Sequence, residues 1–392
     1  MTAEVTERDH AFLESIRRIG DDVAAPNAVD VDREARFPTE TLDALRADGA
    51  LAAFVPTELG GRGLRFETIA TAAFELGRRC GASGMVFAMH QIQVATLVRH
   101  ATGSPWFEGY LESLARDQRL LASVTSEIGT GGDIGRSIAA VTPVDDDCVS
   151  FEKGAPTVSY GLQADDFLTT LRRSPDAEPG DQVLVLSRRD QTTLEQSGTW
   201  DPLGMRGTCS PGFTVRAEFP REQILAAPFS TIAPESMVPV THVLWSHLWL
   251  GIATDAFDRA RAFVRASAKG RPEAAQPLAQ RLSHLMTELA LLRAEVGSGL
   301  RDFAEASSDT DRERLVTMAM ILRFNNLKLA ASEQAPRICQ GALGVTGIVG
   351  FKNDTPFSVG RHLRDTMSAC LMVANERIHQ TNASLLLIAK EV

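Results

Sequence analysis

A few short stretches of this chain carry residue types that could do chemistry. In Ser126-Glu127-Ile128-Gly129-Thr130-Gly131-Gly132-Asp133 the glycines let backbone approach a ligand closely, and the loop N–H groups can cradle an anion or the edge of a bound ring. Lys269-Gly270-Arg271 offers a guanidinium suited to bidentate phosphate binding. His242 and His90 could move protons near neutral pH, with a hydrogen-bonded core histidine as the plain alternative, and Glu376 supplies a carboxylate. His247, His284, His362 and His379 lack the partner spacing of metal ligands. Cys80, Cys148, Cys209, Cys339 and Cys370 are odd in number and contain no Cys-x-x-Cys pair, so neither a disulfide framework nor a metal site is expected.

The elements that must hold these residues follow from apolar period. Phe12, Ile16 and Ile19, then Leu42 and Leu45, then the stretches 69–78, 84–101 and 106–115, predict helices. Short β-branched runs at 148–151, 167–170, 183–186 and 213–215, separated by Gly, Pro and Asp, predict strands. Helical spacing returns with Val240, Val243, Leu244, Leu248 and Ile252, then Leu282, Leu285, Met286 and Leu289, then Leu315, Met318 and Leu322. The expected division is a helical domain over 1–120, a small antiparallel β domain over 121–234 carrying the Gly-rich loop, and an up-and-down four-helix bundle over 235–392.

Three motifs in order, Ser126–Asp133, Trp200-Asp-Pro-Leu-Gly-Met-Arg-Gly-Thr-Cys-Ser210, and Gln340-Gly-Ala-Leu-Gly344 followed by Arg361-His-Leu-Arg-Asp365, resemble the acyl-CoA dehydrogenase superfamily over nearly the whole chain. The resemblance implies FAD as cofactor. It places Thr125, Ser126 and Gly131 on the loop holding the flavin, and Thr157 and Ser159 on a strand against the ring, where Thr157 replaces a tryptophan. It assigns Arg271, Gln280, Gln340 and Gly341 to a flavin in the neighbouring subunit, implying a homodimer or homotetramer, and adds Asn375 to the cofactor set. On the substrate side it points to Gly132, which lacks the family's hydroxyl, to His242, which replaces an arginine, and to Val373.

Val373 stands where the family's usual catalytic glutamate falls, and the alternative carboxylate position falls on Thr241. Abstraction of an α proton from a thioester needs a base over the flavin, and valine cannot take a proton. His242, Glu376 and His90 are the substitutes the sequence offers. The leading expectation is an FAD-dependent α,β-dehydrogenase of an acyl thioester, on CoA or a carrier protein, with a nonstandard base and an electron acceptor. The alternatives are a monooxygenase or oxidase using oxygen on the same fold, and a noncatalytic flavoprotein.

Composition bounds these readings. A net charge of −10 argues against nucleic acid as partner, and 44% apolar with 23% charged residues is a globular profile. No long apolar run and no apolar leader occur, so a cytoplasmic protein with no membrane partner is expected.

Overall fold

A computed structural model of the chain describes residues 6–101, 103–269, 272–307 and 312–388. Among the described residues six α-helices come first: α1 (Glu7–Ile19), α2 (Ala25–Arg33), α3 (Thr39–Ala47), α4 (Phe66–Arg79), α5 (Gly81–His100) and α6 (Pro105–Asp117). Seven strands follow: β1 (Leu121–Val124), β2 (Thr142–Pro143), β3 (Cys148–Ala155), β4 (Asp166–Arg172), β5 (Gln182–Arg188), β6 (Thr192–Gln196) and β7 (Phe213–Pro220). The rest is helical: α7 (Phe229–Ile232), α8 (Val238–Ala268), α9 (Pro272–Ala306), α10 (Met318–Thr346), α11 (Ile348–Phe351), α12 (Gly360–Met367) and α13 (Asn375–Leu386). Among the described residues no helix is long and apolar enough to cross a membrane.

The core runs through α8. Its Val243, Leu244, Leu248, Trp249 and Ile252 are all buried, and it packs on α4 to one side and on α9 and α10 to the other. Its first half, Pro239–Thr254, is buried on every side, as such a central position requires. At its periphery α1 opens with a capping box, in which Thr6 Oγ1 accepts from the Asp9 N–H at 3.2 Å and the Asp9 carboxylate accepts from the Thr6 N–H at 3.2 Å.

The strands form two sheets, β1-β4-β5 and β2-β3-β7-β6. Pairing is antiparallel except for β1 and β4, which run parallel with Leu121 opposite Asp166. The chain between them builds β2 and β3 in the other sheet, so no hairpin could join β1 to β4 and the parallel alignment needs the long crossover it has. In β3 and β7 alternate residues face inward. Lys153 falls on the buried side of β3 beside Phe151 and Ala155, which forces a lysine into the interior.

Two local expectations change. Residues 157–159 are not a strand, because β3 ends at Ala155 and Pro156 removes the next ladder donor. Leu315 lies in a 3₁₀ turn (Arg312–Val316), and α10 begins only after Thr317, whose hydroxyl accepts from Met320 N–H at 3.4 Å.

The segment 200–210 docks on α12. Asp365 Oδ1 accepts from the Met205 N–H at 2.7 Å, Arg364 donates to Leu203 O at 3.0 Å and pairs with Asp32 of α2, and Arg206 Nε donates to Asp32 O at 2.9 Å. Trp200 closes the loop on itself, donating to Arg206 O at 3.0 Å. A Cβ on Gly204 would lie 2.1 Å from the Arg364 carbonyl oxygen, so only glycine allows this approach. Gly204→Ala is expected to lower stability by about 2 kcal/mol or more. Gly109→Ala, on an exposed face of α6 with nothing within 4 Å, is expected to raise it by about 0.5–1 kcal/mol; urea denaturation of both variants checks the pair.

Candidate functional site

The Gly-rich loop leaves β1 over a buried ion pair. Glu127 accepts from the Ala139 N–H at 2.6 Å through Oε1, and its Oε2 lies 3.5 Å from Lys153 Nζ. Lys153 also donates to Thr170 O at 2.7 Å and to Thr170 Oγ1 at 3.0 Å. Burial pulls this ammonium down to about 8 against the opposing pull of Glu127. The loop is therefore anchored from beneath, while Gly129, Gly131 and Gly132 above it take φ of 92°, 63° and 84°.

Three segments meet the loop edge. Ser126 Oγ donates to Thr157 O at 2.9 Å, so the first hydroxyl of the loop and the exposed 157 turn are joined. Ser159 Oγ accepts from Ser210 Oγ at 2.9 Å, and Ser210 Oγ lies 2.9 Å from Thr208 Oγ1, a hydroxyl chain linking the 157–159 turn to the 200–210 segment. From α13, Arg377 reaches across and donates twice to Gly131 O, at 3.1 and 2.7 Å, with Asp133 at 3.9 Å. Thr125 contributes its carbonyl, which receives the Thr170 hydroxyl at 3.5 Å. Gly131 and Gly132 are exposed, and a Cβ on Gly131 would sit 3.3 Å from the Arg377 guanidinium.

The turn before α13 holds Val373 at φ 47°, a left-handed conformation unfavourable for a β-branched residue. Lys328 of α10, fully buried, donates to Val373 O at 3.2 Å and to Asn375 Oδ1 at 2.5 Å. Burial lowers its ammonium to about 8. His242 of α8 donates through Nδ1 to Phe324 O at 3.1 Å, and burial, helped by the Lys328 charge, holds it neutral at about 3. Thr241 spends its hydroxyl on Met237 O at 2.6 Å.

The remaining sequence candidates lie elsewhere. His90 Nε2 donates to Leu51 O at 2.8 Å and its Nδ1 accepts from the Leu121 N–H at 3.1 Å, so both ring nitrogens serve backbone and fix the start of β1. Burial lowers it to about 4. Glu376 is exposed in the first turn of α13. Gln280 and Gln340 are exposed on α9 and α10, beside a groove of about 340 Å³ lined by Arg281, Leu285, Glu288, Arg337 and Gly341. Residues 340–342 are helical, and the glycine at 341 makes room for Leu285 Cδ1, 2.6 Å from where a Cβ would stand. Arg271 lies outside the described residues.

Sequence reading missed Lys153, Lys328 and Arg377. Lys153 was detectable as the wrong residue type on an inward strand position; Lys328 shares the buried i, i+4 row of Phe324 and Ser332. Nothing local marks Arg377. Among the described residues no cluster of His, Cys, Asp or Glu could hold a metal.

This order of helices, sheets and helical bundle brings the Gly-rich loop under Arg377 of the last helix. Residues 6–116 match the family model described as acyl-CoA dehydrogenase, N-terminal domain. The chain is 28% identical over 363 residues to L-evernosamine nitrososynthase of a Micromonospora strain, covering 88% of this chain and 82% of that protein. It is 24% identical over 370 residues to the human mitochondrial short-chain specific acyl-CoA dehydrogenase, covering 93% and 86%. The FMN-bound structure of the dibenzothiophene monooxygenase TdsC of Paenibacillus sp. A11-2 overlays with a TM-score of 0.82 at 20% identity, covering 96% of this chain and 97% of that one. Residues 6–116 thus carry the family's N-terminal domain, and the chain as a whole resembles members of the acyl-CoA dehydrogenase superfamily.

The buried histidines set the acid response. His90, His242, His247 and His362 are all held below their ordinary value by burial, to about 4, 3, 4 and 4. The unfolded chain therefore takes up protons that the fold excludes, and stability present above pH 6.5 is lost as pH falls toward 4. Asp365 acts in the opposite sense, since burial pushes its carboxyl up to about 6 and its protonation relieves the fold. Asp166, raised by burial, sides with Asp365, while Asp255 and Asp9, both held low, side with the four histidines, and the balance predicts a net loss on acidification. The urea midpoint is expected to fall between pH 7 and 4.5, and His90→Gln is expected to flatten that slope by up to about 3 kcal/mol.

Proposed function

We propose that this protein is a flavin-dependent monooxygenase that works with reduced flavin and dioxygen. The observation that carries the reading is the turn at Val373: no side chain there can take a proton, Thr241 is committed to backbone, His242 is buried and neutral, and Lys328 is bonded to the turn itself. A thioester α proton has no acceptor in such a setting. The relatives support the choice, since a nitrososynthase and an FMN-bound monooxygenase stand beside the acyl-CoA dehydrogenases.

The residues present suit a flavin. Ser126, the exposed Thr157 turn and the positive-φ glycines 131 and 132 form an open, polar edge with available backbone N–H groups, and Ser159 lies behind it in a hydroxyl chain. When bound in reduced form, the flavin would supply two electrons to dioxygen, placing one oxygen atom on the substrate and releasing the other as water. The protein's part is to hold the ring edge, exclude water and present a wall without a competing base. FAD would be the fuller ligand of this reading, and Arg281 and Arg337 of the α9–α10 groove on a second copy would be available to its phosphates. Such binding would require a homo-oligomer as the working form.

Visible spectroscopy tests the reading. Anaerobic addition of acyl-CoA thioesters is expected to leave bound oxidised flavin unbleached, and reduced flavin is expected to bind more tightly than oxidised. Bleaching by any thioester would return the protein to the dehydrogenase class. Arg337→Ala is expected to weaken FAD about tenfold while leaving FMN unchanged, measured by fluorescence titration; equal loss for both flavins would remove the groove from the site.

A further inference from the structure

We infer that Lys328 is a positioning residue, an ammonium peg that ties the left-handed Val373 turn and the first residue of α13 to the middle of α10 and so shapes the flavin-facing wall. The inference rests on the proposed flavin chemistry for its consequence, but the peg itself is a property of the chain. Two independent partners define it, Val373 O at 3.2 Å and Asn375 Oδ1 at 2.5 Å. Asn375 is held in turn by Ser332, one helical turn beyond Lys328, through Nδ2 to Ser332 Oγ at 3.2 Å.

The turn needs such a fastening. Val373 at φ 47° is a conformation that costs a non-glycine residue of order 1–3 kcal/mol, and it persists only where surroundings impose it. A neutral amine could accept one of these roles but not donate with the strength of an ammonium, because charge-assisted hydrogen bonds are about twice as strong as neutral ones. The position also has a route to the loop that would hold the flavin: Asn375 opens α13, and Arg377, two residues on, grips Gly131 O. Releasing Lys328 therefore loosens the seat of the residue that clasps the loop.

The groups facing the ammonium are few. His242 on α8 is neutral, Trp249 on α8 places its ring centroid 6.0 Å away, and Cys370 and Glu333 are the anionic or potentially anionic neighbours that favour the charged form. With burial holding Lys328 at about 8, the fastening is complete at neutral pH and is lost as pH rises through that value.

Hydrogen exchange and flavin titration test the peg together. In Lys328→Met, amides of residues 371–377 are expected to exchange faster than in the parent, and flavin affinity is expected to fall roughly tenfold to a hundredfold. The parent should lose affinity between pH 7 and 10, whereas Lys328→Met should show no such step. Asn375→Ala keeps the lysine and removes one acceptor; it is expected to accelerate the same amides, and combining it with Lys328→Met should add little. Unchanged exchange at 371–377 in either variant, or a pH step that survives Lys328→Met, overturns the inference. If the parent binds no flavin, the flavin reading falls, while exchange in the flavin-free protein still decides the peg. Should Lys328→Met fail to fold, Asn375→Ala and the parent's pH-dependent exchange carry the test.

Discussion

One buried carboxylate organises the meeting of the three parts of this molecule. Asp365 accepts the Met205 N–H, sits 3.9 Å from Arg361 of its own helix, and lies where a Cβ on Gly81 of α5 would touch it at 2.9 Å. It thereby pins the 200–210 segment of the β region against both the first helices and the bundle. Arg364 completes the junction by pairing with Asp32 and reaching Leu203 O. Because Ser210 continues from this segment to Ser159 by hydroxyl contact, the edge that would meet a flavin inherits its position from the junction.

A second buried charge does comparable work beneath the loop. Lys153 and Glu127 are both almost wholly inaccessible, and neither could be tolerated alone in that interior. Together with the Thr170 carbonyl they make a rigid floor for a loop whose upper surface is glycine. A firm base under a permissive backbone is what a ligand needing many N–H donors requires.

Much of this was written plainly in the residues and some was not. The period of Phe12, Ile16 and Ile19 gave α1 because one apolar stripe facing a core leaves few other solutions. Trp200–Ser210 and Arg361–Asp365 stood out as separate motifs, yet their mutual contact could not be seen, since docking of segments far apart in sequence leaves no local period. The family resemblance placed residues 157–159 on a strand, and Pro156 overrode that expectation through a missing donor. Gly341 is helical, and its lack of a side chain makes room for Leu285. Lys328 was overlooked because a lysine on a helix is usually solvated, and only tertiary packing reveals that this one is not.

The Arg377 clasp on Gly131 has a consequence for assembly. The Gly-rich loop follows β1, far ahead of α13 in sequence, but the side chain that closes it is supplied from α13. During synthesis the loop leaves the ribosome long before its clasp. The clasp on the loop can therefore form only after α13 has emerged, and a nascent chain halted before α13 would present an open, unclasped loop.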